Sequence, residues 1–300
     1  MPRGVPKAGF RTSSKTGLPL GAAARQIAGA VTTWSPPVNS PVQETRETDE
    51  EILKKLKDRF DALTIMTEAT AFGHNRSLVI SGPAGLGKSY GVMQILESAE
   101  AQKMAAVVVK GFIRPTGLYK LFYENRFKKS IIVFDDADSI FSDDIALNLL
   151  KAACDSTEKR RLSWLAETRM EDEDGEKLPR SFEFEGSVIF ITNYDFDEMI
   201  ARGTKLAPHF EALISRSHYL DLAMKTKRDY LMRIKQVVAN GMLDDTLERK
   251  DQNVLLKFIE ENMDALRELS LRMVIKLAGL MDMNPKGWQA LAKITCMKTK

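Results

Sequence analysis

The sequence predicts an α/β fold, a parallel sheet flanked by helices, followed by a small all-helical domain. Three observations carry this expectation. The loop Gly82-Pro83-Ala84-Gly85-Leu86-Gly87-Lys88-Ser89, of the form G-x-x-x-x-G-K-S, lies between a β-branched apolar run at 77–81 and a helical pattern from Tyr90 to Ala101. Short apolar strands then alternate with helical stretches at Ala105–Lys110, Ser130–Asp135, Val188–Thr192 and His218–Leu222, the order of a parallel sheet whose crossovers cover both faces. Beyond about Asp221 the pattern is helical throughout, near 225–240, 250–263, 267–282 and 285–296, with breaks at Asn240-Gly241 and Asn284-Pro285.

Residues 1–43 precede this pattern. They are rich in Gly, Pro, Ser, Thr and Ala, lack periodicity and read as a disordered basic arm. An acid-free, Arg- and Ser-containing start also fits an organellar transit peptide. The first helix is expected from Thr48, where Thr48-Asp49-Glu50-Glu51 offers a capping box, to about Ala71, with Ile52, Leu56, Phe60, Leu63 and Met66 at helical spacing. The α/β part then spans 44–220 and the helical part 221–300.

Composition narrows the function classes. The 300 residues are 44% hydrophobic, ample for a core. Cys154, Cys296 and three histidines have no metal-ligand spacing, which argues against zinc and a disulfide framework and for a reducing, cytoplasmic setting. No apolar run approaches the roughly 18 residues that span a bilayer, so no membrane partner is expected. Arg3, Lys7, Arg11, Lys15 and Arg25 give the arm +5 in a chain that is +3 overall, so the remainder is mildly acidic. Any affinity for nucleic acid must therefore be local.

The strand–loop–helix setting is what phosphate binding needs. Gly82, Gly85 and Gly87 let the backbone fold around phosphate oxygens, with Pro83, Ala84 and Leu86 between them. Lys88 reaches the outer phosphates and Ser89 can hold Mg²⁺. A nucleoside triphosphate is the expected ligand. The buried strand Ile131-Ile132-Val133-Phe134 ends in Asp135-Asp136, placing Asp135 to hold Mg²⁺ through water and Asp136 to orient or deprotonate an attacking water. Asp138, Asp143 and Asp144 read as exposed loop and helix N-terminal acids. Asn193, at the end of Val188–Thr192, can bond a γ-phosphate or its water without changing the charge of the site.

This order of elements resembles the AAA+ superfamily of ring ATPases, over about 250 residues from Thr48 onward. The resemblance implies ATP and Mg²⁺ as ligands and a ring homo-oligomer, a hexamer. It makes Asn193 the sensor-1 residue. Ala212-Leu213-Ile214-Ser215-Arg216-Ser217 resembles the arginine-finger segment of clamp loaders, and Leu269-Ser270-Leu271-Arg272 resembles sensor 2. Arg216 is then either a finger acting on a neighbouring subunit or a partner in a local salt bridge, with Arg202 in reserve; Arg272 is either a nucleotide contact or one of many lid cations. One departure is Asp136, where the family usually has Glu. The side chain is one methylene shorter, which bears on turnover and leaves binding intact.

Two further segments bear on the substrate. Residues 160–187 form an insertion whose arms, Arg160–Leu165 and Ser181–Glu185, alternate like strands around an Asp174-Gly175 turn. The segment resembles small ATPases of tailed bacteriophages, which implies a host-cytoplasm setting. A hairpin before sensor 1 is similar to that of nucleic-acid motors, but its acidic tip equally suits a structural or protein-contacting role. Gly111-Phe112-Ile113-Arg114 partly matches the aromatic pore loop of protein-threading rings, and two apolar residues after a strand also fit a core role. The leading expectation is a nucleic-acid motor or helicase loader; the rivals are a protein remodeller and a nucleotide-gated assembly factor.

Overall fold

The computed structural model describes residues 47–98, 104–166, 170–171 and 175–299. The basic arm 1–43, the end of the helix expected to reach Ala101, and Arg169, Asp172, Glu173 and Asp174 of the hairpin tip lie outside the described residues. Residues Glu47–Lys300 form one compact unit.

Helix α1 (Asp49–Ala71) starts where local chemistry dictates. The Thr48 side chain accepts from the Glu51 N–H, and the Glu51 carboxylate accepts from the Thr48 N–H at 2.8 Å, closing a capping box. Three acids in the first turn face the positive end of the helix dipole.

Five parallel strands follow: β1 (Ser77–Ser81), β2 (Ala105–Lys110), β3 (Ser130–Asp135), β6 (Ser187–Thr192) and β7 (His218–Asp221), ordered β2-β3-β6-β1-β7. Alternate residues face opposite sides, and helices cover both. Val79, Ile132, Phe134, Val188 and Phe190 pack with α3 (Pro115–Glu124), α4 (Asp144–Ala153) and α6 (Ala207–Ile214). Leu78, Ile80, Ile131, Val133, Ile189 and Ile191 pack with α1 and α2 (Lys88–Leu96). Each such side chain contributes about 1.5–3 kcal/mol on burial. The fully buried strands β1, β3 and β6 therefore hold the sheet, and the half-exposed edge β2 contributes less. This is the α/β architecture the sequence predicts, and it sets the carboxyl ends of β1, β3 and β6 side by side.

The insertion is a hairpin, β4 (Arg161–Ser163) antiparallel to β5 (Ser181–Glu183). Its base is tied to the core by buried Arg160, which donates to the carbonyls of Ala153 and Gly186 at 2.8 Å and lies over Phe184. The Tyr119 hydroxyl donates to Pro179 O at 2.8 Å, and its ring packs edge-on against Phe182.

A short helix α5 (Phe196–Ala201) follows β6. After β7 come α7 (Lys227–Ala239), α8 (Arg249–Glu261), α9 (Leu271–Met283) and α10 (Trp288–Thr295). They enclose a core of their own around Leu255, Phe258, Val274, Leu277 and Trp288. A small cluster of Ile52, Leu56, Leu86, Met224 and Met232 joins α1, the glycine loop and α7. The helical part is thus seated directly against the loop.

Candidate functional site

Gly82–Ser89 follows β1 and opens α2, whose N-cap is Gly87 in the left-handed region at φ 90. Lys88 is buried, and its ammonium donates to the carbonyls of Gly82 and Pro83 and, at 3.0 Å, to Asn193 Oδ1. Burial pushes Lys88 down to about 8, against the opposing pull of Asp136, Asp138 and Asp135. The Asn193 amide also donates to Asp136 Oδ1 at 3.0 Å. Lys88, Asn193 and Asp136, from three separate strand ends, thus form one hydrogen-bonded run.

Asp136 stands at φ 54, donating its own N–H to Ile191 O. Asp and Asn enter the left-handed region far more readily than longer side chains. The backbone turn thereby accounts for a short acid here, and it aims the carboxylate at Asn193.

On the other side of the loop, the Ser89 hydroxyl donates to Asp135 Oδ1 at 2.6 Å. Two hard oxygen donors so placed fit Mg²⁺, which takes one or two protein oxygens when phosphates supply others. Among the described residues no group of three or more His, Cys, Asp or Glu forms an all-protein metal cage. Asp135 is otherwise buried, and its Oδ2 accepts from Lys110 at 2.8 Å. That pairing, made possible by the β2–β3 register of Lys110 with Asp135, raises the lysine above its ordinary value.

The acids nearby divide. Asp143 caps α4 by accepting from Ile145 and Ala146, and Asp144 sits in the first turn, both in keeping with helix-terminal roles. Asp138 departs from the expected exposed loop acid. It is half-buried and accepts from Thr192 Oγ1 at 2.6 Å, because the 3₁₀ turn Asp138–Ser142 folds it back against β6; burial raises its carboxyl. Phe112 is 75% exposed while Ile113 packs on the core, so only one of that pair takes the core role.

The helical part closes the cleft. Ser270 caps α9, and the Leu271 N–H donates to Gly85 O at 2.8 Å. Arg272, in the first turn of α9, lines the cleft with Gly85, Lys88, Asp136 and Asn193. A Cβ on Gly85, at φ 76, would lie 2.7 Å from Ser270 Cβ. Gly85→Ala is therefore expected to cost roughly 1–2 kcal/mol for the left-handed backbone alone and to lift α9 off the loop. The check is calorimetric: an unchanged melting temperature would contradict this contact.

Arg216 is not brought to this cluster. Its carbonyl accepts from Ser77 at the opposite end of β1, and its guanidinium bonds Ala212 O at 2.8 Å and lies 3.6 Å from Asp155. Arg202 pairs with Glu198 on α5. Sequence reasoning missed Lys110, Phe60 and Arg233, which also line or adjoin the site. The signal for Lys110 is its place at the end of an apolar strand, beside an acid only once β2 and β3 pair. Arg233 carries no local signal, being one cation on a basic helix.

The cleft between the loop, α1, α2 and the helical part holds about 810 Å³ and is walled by Phe60, Thr64, Tyr90, Met242 and Ile275. That is within the usual range for small-molecule sites.

No family model matches the chain. It is 37% identical over 254 residues, 84% of its length, to an uncharacterized 36.7 kDa protein in the nrdC–mobD intergenic region of Enterobacteria phage T4, covering 77% of that protein. The chain belongs to the family of this phage protein. Solved structures with limited likeness include the Holliday junction branch migration motor RuvB of Thermotoga maritima (TM-score 0.46, 15% identity, 82% of this chain and 69% of that one). Another is NtrX of Brucella abortus in complex with ADP (TM-score 0.44, 16% identity, 80% and 51%). No helix in the described residues is long and apolar enough to cross a membrane.

Proposed function

We propose that the chain is a Mg·ATP-hydrolysing ATPase of the AAA+ type, working as a hexameric ring on nucleic acid in the cytoplasm of a phage host. The observation that carries the ATPase reading is the run Lys88–Asn193–Asp136 beside the Ser89–Asp135 pair. Lys88 and the backbone N–H groups of Gly82–Ser89, Pro83 excepted, would hold the phosphates, and Ser89 and Asp135 would hold Mg²⁺, whose charge would offset the negative charge of the reacting phosphates. Asp136 orients and deprotonates the attacking water. Asn193 holds that water or the γ-phosphate, and Arg272 closes the lid side. Residues 44–220 serve as the nucleotide-binding part and 221–300 as its lid, with Arg216 acting on the neighbouring subunit.

The hairpin before β6 and the +5 arm favour nucleic acid as the substrate. A second reading, protein remodelling, is favoured by the exposure of Phe112 on the loop after β2. ATPase rates with single-stranded DNA, double-stranded DNA and an unfolded protein separate the two. We expect stimulation by DNA, reduced with a shallower salt slope when residues 1–43 are deleted. Stimulation by the unfolded protein alone would transfer the assignment to remodelling, and a negligible basal rate with tight ATP binding would favour an assembly factor.

A further inference from the structure

Arg233 occupies a position on α7 that is costly for a cation. Its guanidinium carbon lies 3.3 Å from the centre of the Phe60 ring, and one of its nitrogens donates to Gln236 Oε1 at 2.8 Å. Its Nε is buried and has no hydrogen-bond partner. Among the described residues no carboxylate forms an ion pair with it, and burial pushes it down to about 10. Buried Arg160 shows how the same fold satisfies a structural guanidinium, with two of its nitrogens donating to the carbonyls of Ala153 and Gly186. Arg233 has no such set. A half-buried cation without a counter-charge, its Nε fully covered, weakens the fold unless something else uses it.

Its placement indicates the user. Arg233 lines the same cleft as Lys88 and Ser89, and its Nη2 lies 3.8 Å from where a Cβ on Gly87 would stand. Gly87 opens α2, the helix terminus whose N–H groups face an anion. The stem of Arg272 lies equally near Gly85. Two lid arginines therefore overhang successive glycines of one loop. One face of the Arg233 guanidinium is taken by Phe60 and Nη1 bonds Gln236, which leaves the Nε–Nη2 edge without a partner among the described residues, and a guanidinium fork suits phosphate oxygens. Lys88 reaches the outer phosphates of such a ligand, so the position above Gly87 belongs to the inner ones.

Building on the nucleotide reading above, we propose that Arg233 is a nucleotide-binding residue that clamps the diphosphate portion of the nucleotide from the lid side. The clamp ties α7 and, through Phe60, α1 to occupancy of the loop. It acts on ADP and ATP alike, because both carry the diphosphate.

The test is equilibrium binding of ADP and of Mg·ATP by calorimetry to the full chain, to Arg233→Met and to Arg233→Lys. Met keeps the stem on Phe60 and removes the charge; Lys keeps a charge and removes the fork. Loss of a charge-assisted hydrogen bond predicts a drop of about ten- to a hundredfold for both nucleotides in Arg233→Met, and a smaller drop in Arg233→Lys. Without nucleotide, Arg233→Met should melt at or above the wild-type temperature, since it relieves a half-buried cation that has no counter-charge, yet ADP should raise its melting temperature less. A merely structural arginine gives the reverse pattern, a lower melting temperature with wild-type affinity, and that result overturns the proposal. Should the Met variant fail to fold, wild-type affinity in Arg233→Lys overturns it as well. A wild-type chain that binds neither nucleotide defeats the nucleotide reading itself, an outcome distinct from tight wild-type binding that the Arg233 variants leave unchanged.

Discussion

Mixing Arg216→Ala subunits with Asp136→Asn subunits should restore part of the ATPase activity that each variant has lost alone. The geometry motivates this. Arg216 is fastened near Ser77 and Asp155, whereas the loop begins beyond Ser81, at the other end of β1, and the acids lie at the corresponding carboxyl end of β3. At about 3.3 Å per residue the strand alone separates them by more than 10 Å, so Arg216 cannot serve the site of its own chain. In a ring, some mixed interfaces pair an intact Asp136 site with an intact Arg216. An arginine supplied in trans is worth roughly 10³–10⁵ in rate in comparable phosphoryl transfers. Its Asp155 contact, in contrast, is a half-exposed pair of the kind worth about 0–1 kcal/mol, so Arg216→Ala should fold normally and bind ATP as the wild type does. Specific activity should also rise with protein concentration. Concentration-independent activity with no rescue on mixing would reduce Arg216 to that salt bridge.

Lys88→Ala should abolish ATP binding, while Asp136→Asn should bind ATP normally and hydrolyse none of it. In the proposed site Lys88 would carry the charge that faces the outer phosphates, and no other cation among the described residues bonds both the loop carbonyls and Asn193. Asp136 is a clean target because Asn tolerates its φ of 54 and can still meet the Asn193 amide through its own carbonyl oxygen. Equal loss of affinity in the two variants would show that Asp136 belongs to binding and not to the water. A pH dependence accompanies this. Burial holds Lys88 near 8, and phosphates favour its charged form, so binding takes up a proton when pH exceeds about 8. Affinity should therefore be level below that value and weaken as pH rises through it.

Much of the fold was legible because its signals are local. The capping box at Thr48 and Glu51 and the apolar runs of β1, β3 and β6 each depend on a few neighbouring residues. In the parallel sheet two strand boundaries, Ser187 and Asp221, moved by a single residue, and the hairpin arms shortened to Arg161–Ser163 and Ser181–Glu183, because pairing with neighbours and not propensity ends a strand. Asp138 was misjudged for the same reason. Its half-burial comes from Thr192 on another strand.

By itself the sequence determined which groups arrive at strand ends: the loop through Ser89, the acid pair Asp135-Asp136, and Asn193. A buried apolar strand followed by polar residues leaves those residues no place but its carboxyl end, so these assignments need only local pattern. Only the tertiary structure decided which of them meet. The order β2-β3-β6-β1-β7 puts Asn193 between Lys88 and Asp136 and brings Lys110 onto Asp135. The docking of the helical part places Arg272 and Arg233 over the loop while leaving Arg216 at the far end of the sheet. Long-range charges carry no local signature. An arginine on a basic helix reads the same whether it faces water, a neighbouring subunit or a phosphate, and packing alone assigns it to one of these.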